Sequence, residues 1–551
     1  MAQETFRANL HANSFPFFSK NFGETVILQK YDQTYSRALA PNSENEKDSG
    51  VPQAYYMHNV LPTEYGYKSV SYRKIAQPTA GAPFGGSDVA ILYPGPNVFN
   101  PSNRYWHTAY PTTAGVDGAT FYDFVPPIGI STVANYTNTT NTLGVGHVPI
   151  NMAYVQGLNF YTNGVANQIA EINYATLAIT IRATGVGVGF AGLCASQGYL
   201  IAWAGNNVYW SSLTVPYDFT PSQVTGAGGG AVSGLRGTIV KCVTTLNGFI
   251  IFGASNAVFA SYTGNVKYPF SFIDIKNAGG INSGFAAHED GNSGMAYALS
   301  SSGLQAIVGN QAETVVPDLD LFVNNRKLEV YNLTANDFEY FTINPSQPSD
   351  ALYMKVSFVA KRYLCISYGK QEIQHFSVGP PPILLDYYIQ YEYVLVYDTV
   401  LLRWGKLKKP HVSVFTYTNI GYGSSFASAS ICLMGPDGNA WIVDLADELS
   451  ADADAVLILG KYQRDRESML NLQGVKIQHT ELGDSFELGT YYTLDGKTKA
   501  GFVPGYLAYT KEGVRDYNFD VNALNHSIVL KGDFHVNSLL LTHTNGGSVG
   551  G

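Results

Sequence analysis

Gly198-Tyr-Leu-Ile-Ala-Trp203 recurs as Gly248-Phe-Ile-Ile-Phe-Gly253, and this repeated apolar segment is the strongest indication of the fold. Two more pairs keep the spacing, since Asn207-Val-Tyr209 recurs as Ala257-Val-Phe259 and Tyr217-Asp-Phe219 recurs as Tyr268-Pro-Phe270. The offsets are 50, 50 and 51 residues. A period of roughly 40–50 residues made of strand pairs is typical of a β-propeller. Each repeat is a small antiparallel sheet that buries both faces between its neighbours, and closing the ring removes the exposed ends.

Weaker copies of the same strand pairs continue along the chain. They are Gly294–Leu299 with Leu304–Val308, Arg362–Ser367 with Tyr393–Tyr397, and Ile431–Met434 with Asn439–Val443. About five units are recognisable between 170 and 450, and strands near 55–80 or 150–170 would close a sixth. We therefore predict an all-β protein with a β-propeller of about six blades over residues 151–450.

The segments around the propeller differ from it in pattern. We expect an extended N-terminal arm (1–50), strands that lead into the propeller (51–80), a loop-rich insertion (81–150), and a C-terminal antiparallel β-sandwich with a flexible tail (451–551). The arm is rich in Phe, so it either packs on a neighbouring chain or covers its own domain. The tail from Thr544 onward is mostly Gly, Ser and Asn and is expected to fray.

The composition excludes several classes of protein. Charged residues make up 14% of the chain and aromatic residues 13%, with a formal net charge of −9. Disordered chains have few aromatics and high net charge, and coiled coils are rich in Glu, Lys and Leu. We expect no signal peptide and no membrane-spanning helix. The four cysteines lie far apart in apolar stretches and are predicted to be buried free thiols, at Cys194, Cys242, Cys365 and Cys432.

No segment carries a convincing catalytic, metal or cofactor motif. Gly187-x-Gly189-x-x-Gly192 matches a dinucleotide fingerprint by letters, but a second strand follows it where the fingerprint needs a helix. His288-Glu289-Asp290 is predicted to be a polar loop tip. Lys406-Leu-Lys-Lys409 is predicted to be a solvated loop, with contact to a phosphate backbone as the alternative.

Four aspartates are predicted near strand ends, at Asp218, Asp274, Asp398 and Asp444. A converging pair of carboxylates there would suit a glycosidase, but capping of turns is the favoured interpretation. We expect no enzymatic activity.

Three segments together resemble a known family. They are Asn207–Pro221 (NVYWSSLTVPYDFTP), Asn247–Val258 (NGFIIFGASNAV) and Tyr393–Leu407 (YVLVYDTVLLRWGKL). They resemble the propeller of tail nozzle, or packaged-DNA stabilisation, proteins of short-tailed bacteriophages, and Asn59–Val70 resembles that family's leading segment. The resemblance covers roughly 55–80 and 190–450. It marks as structural signature residues Trp210, Asp218, Phe219, Phe249, Asp398 and Trp404. The large aromatics are expected to anchor one blade on the next, and the aspartates to stabilise turns.

The resemblance implies a structural virion protein of the phage tail. Such a protein forms a ring, commonly of six copies, that continues the portal channel, retains packaged DNA and serves as the exit for genome ejection. The implied partners are other copies of the chain, the portal or head-to-tail adaptor protein, tail fibre, spike or needle proteins, double-stranded DNA in transit, and the host cell envelope. The arm and the insertion are expected to contribute to the ring interface.

Other functions remain open at this stage. A carbohydrate- or receptor-binding, lectin-like tail propeller is the main alternative, with Tyr55, Tyr56 and Trp106 as candidates for stacking on sugars. A propeller glycoside hydrolase and a structural propeller of another kind are the remaining hypotheses.

Overall fold

The structure is a computed structural model of the 551-residue chain. It describes residues 4–9, 18–19, 54–64, 66–78, 86–92, 104–109, 118–124, 134–136, 138–144, 152–162, 164–176, 178–289, 294–300, 303–316, 327–332, 337–342, 354–376, 384–401, 403–419, 428–444, 455–462, 468–494 and 501–548. Every regular element in these ranges is a β-strand, as predicted. No helix that could cross a membrane occurs in them.

The N-terminal part of the chain contributes eleven strands. They are β1 (Glu4–Asn9), β2 (Phe18–Ser19), β3 (Ala54–His58), β4 (Val60–Pro62), β5 (Tyr67–Ser69), β6 (Ser71–Pro78), β7 (Gly86–Leu92), β8 (Arg104–Ala109), β9 (Gly118–Phe124), β10 (Ala134–Tyr136) and β11 (Asn138–Gly144). Strands β7, β8, β9 and β11 form one antiparallel sheet. The insertion predicted as loop-rich thus carries a four-stranded sheet.

Four blades follow, each made of four consecutive antiparallel strands. Blade one has β12 (Met152–Val155), β13 (Leu158–Tyr161), β14 (Gln168–Ile172) and β15 (Ile179–Ala183). Blade two has β16 (Gly192–Ser196), β17 (Tyr199–Ala204), β18 (Asn207–Trp210) and β19 (Gly228–Ala231). Blade three has β20 (Ile239–Thr245), β21 (Gly248–Gly253), β22 (Ala257–Tyr262) and β23 (Phe270–Asp274). Blade four has β24 (Ala287–Glu289), β25 (Ala296–Ser300), β26 (Gly303–Val308) and β27 (Gln311–Val316).

Two more blades follow along the chain. The hairpin β28 (Lys327–Asn332) and β29 (Asp337–Thr342) comes first and pairs with β2. Blade five has β30 (Lys355–Val359), β31 (Tyr363–Phe376), β32 (Leu384–Asp398) and β33 (Arg403–His411). Blade six has β34 (Ser413–Asn419), β35 (Ser428–Met434) and β36 (Ala440–Asp444). Its fourth strand is β6, which pairs antiparallel with β36.

The six blades lie side by side with their first strands innermost. Strands β12, β16, β20, β24, β30 and β34 are neighbours in that order. Apolar side chains are buried between successive blades from blade one to blade six, so blades two to five bury both of their faces in this way. Strand β34 also lies beside β7, the first strand of the four-stranded sheet β7-β8-β9-β11, so this sheet adjoins blade six in the same way as the blades adjoin one another. The structure therefore shows a β-propeller, as predicted, with six blades and this further four-stranded sheet next to blade six.

The C-terminal residues form a two-layer sandwich, also as predicted. Its strands are β37 (Val456–Tyr462), β38 (Ser468–Leu482), β39 (Glu487–Thr493), β40 (Gly501–Pro504), β41 (Tyr506–Lys511), β42 (Val514–Ala523), β43 (Asn525–Lys531) and β44 (Phe534–Ser548). One sheet has the order β3-β37-β43-β39-β40, and the other contains β44-β38-β42-β41. Leu and Val side chains from both sheets meet in one core between them.

Two details of the N-terminal and C-terminal segments differ from the sequence-based expectation, and a third agrees with one of the two alternatives for the arm. Strand β3 lies in the sandwich rather than leading into the propeller, because it pairs with β37. Strand β1 of the arm pairs with β44 of its own chain. The tail expected to fray from Thr544 continues β44 as far as Ser548, because its backbone pairs with β38. The pairings of β3 and β1 join residues hundreds of positions apart, which no local pattern records.

Propeller and sandwich share one continuous sheet. Strand β33 of blade five pairs with β4, β4 pairs with β5, and β5 pairs with β44 of the sandwich. Arg403 Nη1 donates to Thr63 O at 2.8 Å, and Lys408 N donates to Asn59 Oδ1 at 2.8 Å. A shared apolar cluster also contains residues of blades three to five and of the sandwich. The two parts are thus packed as one body.

Candidate functional site

The signature aromatics of blade two lie in its two blade interfaces. The Trp210 ring is 5.7 Å from the Phe270 ring of blade three, in an edge-to-face arrangement. Phe219 is fully buried 4.9 Å from Phe190, among apolar side chains of blades one and two. Trp210 therefore bridges blades two and three, and Phe219 bridges blades one and two.

Phe270 is the centre of the interface between blades two and three. Four rings surround it, at 5.0 Å for Phe249, 5.6 Å for Tyr199, 5.7 Å for Trp210 and 5.9 Å for Tyr262. Phe249, the signature residue of blade three, is fully buried in this group. The sequence repeat contains Phe270 but does not show that it is central, because the rings meet only across two blades.

The signature aspartates stabilise turns between the third and fourth strands of their blades. Asp218 Oδ1 accepts a hydrogen bond from Thr220 N at 2.9 Å. Asp398 Oδ1 accepts two, from Val400 N and Leu401 N, each at 3.0 Å. Such carboxylates stabilise a turn because they accept hydrogen bonds from backbone amides that do not take part in strand pairing.

Asp398 also has a charged partner that the sequence did not indicate. Arg362 Nε lies 2.9 Å from Asp398 Oδ2, and Arg362 Nη2 lies 2.6 Å from the same oxygen. The Asp398 side chain is fully buried, whereas the guanidinium is partly exposed. Hydrogen bonding to Asp398 raises the pKa of Arg362. The pair joins two neighbouring turns of blade five, 36 residues apart.

Trp404 anchors blade five. Its side chain is 2% exposed, 4.9 Å from the Tyr397 ring, and it lies in the cluster shared by blades three to five and the sandwich. All six signature residues are thus packing or turn residues. They do not converge on one pocket.

Glutamine side chains tie the turns of successive blades together. Gln156 Nε2 donates to Gly198 O at 3.0 Å and to Leu213 O at 2.9 Å, and Gln197 Nε2 donates to Leu246 O. Both glutamines begin tight turns with positive φ, 51° and 53°. The sequence does indicate these turns, because a Gln-Gly dipeptide stands between two consecutive strands at Gln156-Gly157 and at Gln197-Gly198. This pattern was not used for the prediction.

The predicted basic loop is instead part of strand β33. Lys406 is 2% exposed, with Nζ 4.9 Å from the centre of the Tyr393 ring and 6.0 Å from that of Tyr368. Burial lowers the pKa of Lys406 to about 7, and Lys408 adds to the effect. Lys409 Nζ lies 3.7 Å from the centre of the Trp441 ring. The lysines pack on aromatic faces, a cation–π arrangement that short sequence windows do not reveal.

Charged side chains also lie on the innermost strands. Lys241 Nζ of β20 donates to Ala287 O of β24 at 2.7 Å, and Lys355 Nζ of β30 donates to Ser413 Oγ of β34 at 3.1 Å. His288 and Glu289, predicted as a loop tip, are on strand β24. Burial lowers the pKa of His288, and Glu289 opposes this change. The innermost lysines act as ties between blades.

The described residues contain no obvious reaction centre. No group of three or more His, Cys, Asp or Glu side chains in them is placed to hold a metal ion. The four cysteines are buried free thiols, as predicted, and burial raises the pKa of each. The glycine fingerprint opens strand β16, and Gly192 lies against the Trp203 ring with no room for a side chain.

The chain was compared with family models, curated proteins and solved structures. No family model and no curated protein matches the chain. Among solved structures, YCF48 bound to D1 peptide has 9% identity and a TM-score of 0.35, with 69% of this chain and 97% of that chain covered. The extracellular domain of the putative hybrid two-component system BT4673 from B. thetaiotaomicron has 10% identity and a TM-score of 0.38, with 91% and 63% covered. Its four-stranded antiparallel sheets and the packing of their first strands make this chain an all-β propeller protein. The similarity to these structures carries no argument about function.

Proposed function

We propose that this chain is a structural protein of a short-tailed phage tail. In this proposal, copies of the chain form a ring, of about six members, that continues the portal channel, retains the packaged DNA and lets it out during infection. Its partners are other copies of itself, the portal or adaptor protein, tail fibre, spike or needle proteins, the DNA in transit and the host envelope.

One observation carries the proposal. The three segments that resemble tail nozzle proteins supply the residues that hold blades together, including Trp210, Asp398 and Trp404. The same blades are joined to the sandwich through β33, β4, β5 and β44. The residues that carry the resemblance thus make the blades rigid, and the shared sheet joins propeller and sandwich. Such a rigid chain is suited to form the wall of a pressurised channel.

A DNA-retention experiment tests this function. A nonsense mutation in the gene for this chain, in the phage that encodes it, should give heads that package DNA but lose it. The DNA should then be accessible to DNase, and addition of the purified chain should restore protection. Mutant particles that retain DNA and keep a complete tail would overturn the proposal.

The lectin-like alternative has a separate test. The side chains first considered for sugar stacking, Tyr55, Tyr56 and Trp106, lie outside the described part of the structure. Among the described side chains, a sugar ring could stack on the exposed Tyr268, Tyr506 and Tyr509. A glycan array probed with the purified chain should show no binder under our proposal. A specific binder that is lost in Tyr268→Ser or Tyr506→Ser would favour the alternative.

A further inference from the structure

The first strand of the arm is held by backbone pairing at one edge of the sandwich. Strand β1 lies antiparallel to residues 538–543 of β44 and pairs with no other strand in the described part of the chain. Further along the same edge of β44, β5 pairs with His535 and Val536. Strand β1 therefore continues the cover of β44 where β5 ends.

Without β1, this part of β44 would be an open edge. Its sequence is Ser-Leu-Leu-Leu-Thr-His, and Leu539 and Leu541 are buried in the core of the sandwich. An open edge of an apolar strand is a template on which another chain can pair. Every copy of the chain therefore needs an arm strand here. The backbone hydrogen bonds are the same whichever copy supplies that strand.

The arm strands are tied to the rest of the chain by a long connection. Strand β2 also lies at an edge, where it pairs with β28 over two residues. The 34 residues 20–53 then join β2 to β3 of the sandwich. A connection of this length spans up to roughly 110 Å when extended. A compact chain of 551 residues has a radius of gyration of only about 24 Å, so the arm strands can reach the edges of an adjacent copy.

We propose that, in the ring, strand β1 of each copy pairs with β44 of the next copy. This inference rests on the proposed ring and names the segment that links its members. The exchange loses no backbone hydrogen bonds, because β44 receives from its neighbour the same strand that its own chain gives away. Each copy donates one arm and accepts one, so the contact runs head to tail and closes with every edge covered.

Cross-linking between two differently marked chains tests the exchange. Thr5 of β1 is the register partner of Thr542 of β44. One chain carries Thr5→Cys and the other Thr542→Cys, so a short bismaleimide joins them only when the arm of one pairs with the other. The mixture is assembled on heads of the nonsense mutant, and denaturing electrophoresis should show a covalent dimer. Wild-type chains, which keep the four buried native cysteines, are the control and should show none.

Locking the arm on its own chain provides a second measurement. A chain with both Thr5→Cys and Thr542→Cys is cross-linked as a dilute monomer, which fixes β1 on its own β44. The locked chain should need about tenfold or more higher concentration than the same chain left unlinked to restore DNase protection, because it lacks the tethered second contact between neighbours. Both forms keep the same strand pairing, so their circular dichroism should match.

The outcomes separate the exchange from the ring. Particles that contain both marked chains without a covalent dimer, or locked chains that assemble like unlinked ones, overturn the exchange and leave the ring in place. A dilute double-cysteine monomer that forms no internal cross-link also overturns it, since β1 then does not pair with β44. Heads on which even the wild-type chain does not assemble contradict the ring itself, and the exchange is then wrong as well.

Discussion

At the scale of single residues, the fold depends on polar groups buried inside or beside the blades. Asp398 is the clearest case, since a fully buried carboxylate binds two backbone amides and the Arg362 guanidinium. A buried charge is tolerated only when its partners replace the water that it loses. The arginine is therefore as important as the aspartate that the sequence pattern marked.

Replacing Arg362 should be costly. Arg362→Met leaves Asp398 buried without its counter-charge, and we expect a loss of roughly 2–4 kcal/mol in the free energy of unfolding. The control is Arg182→Met, which breaks the more exposed ion pair with Glu171 and should cost about 1 kcal/mol or less. Urea denaturation of the two variants measures both values. Equal losses of unfolding free energy in the two variants would show that the buried ion pair stabilises the fold no more than the exposed one.

Buried histidines should make the protein less stable in mild acid. His411 is fully buried, its Nδ1 donates to Lys409 O at 2.7 Å, and its Nε2 accepts from Ser367 Oγ at 2.9 Å. Burial lowers the pKa of His411 to about 4, and the nearby Lys355 acts in the same direction. His526 is also buried, with a pKa lowered to about 4.

The direction in which stability changes with pH follows from the lowered pKa values of the two histidines. The folded state keeps these rings neutral, whereas the unfolded chain protonates them below pH of about 6.5. Stability is therefore full above that pH and is lost as the pH falls toward 4, by roughly 1.4 kcal/mol per pH unit for each ring. Urea titrations at pH 7, 6 and 5 measure this, and His411→Asn should flatten the slope. An unchanged slope in that variant would contradict the assigned role.

At the scale of elements, each blade is held by aromatic side chains from its neighbours. Phe270→Ala would open a cavity beneath Phe249, Tyr199 and Trp210, and we expect a loss of about 3–5 kcal/mol in unfolding free energy. Tyr268→Ala, two residues earlier in the same segment, should cost less than about 0.5 kcal/mol because its ring is exposed. Thermal denaturation compares the two. A mild effect of Phe270→Ala would mean that the blades pack independently of this cluster.

The sequence predicted the elements that repeat locally and missed those that pair over long distances. Blades two and three were found from their repeated strands, because apolar strands separated by tight turns leave a periodic pattern. For the strand that completes blade six, the sequence left two possible ranges, 55–80 and 150–170, and the structure shows β6 in that place. The position of β3 in the sandwich was not predicted. Local patterns predict a strand but not its partner. For the same reason Asp398 was identified from sequence and Arg362 was not.

At the scale of the whole molecule, the propeller and the sandwich share one sheet and are expected to unfold as one cooperative unit. Gly405 of β33 has no room for a side chain, since a methyl group there would lie 2.6 Å from Val60 O and 2.7 Å from Leu61 Cδ2. Gly405→Val should force β33 away from β4 and uncouple the two parts. Calorimetry should show one unfolding transition in the wild type and two in the variant. The control Gly187→Ala, where no atom lies within 4 Å of the added methyl group, should keep one transition.

The copy number of this chain in phage particles is a direct test of the proposed role in the tail. Quantitative mass spectrometry of gradient-purified particles of the encoding phage should find about six copies per particle, as a single closed ring requires. A much higher number would indicate a decoration or fibre role. Absence of the chain from the particles would contradict the proposed function outright.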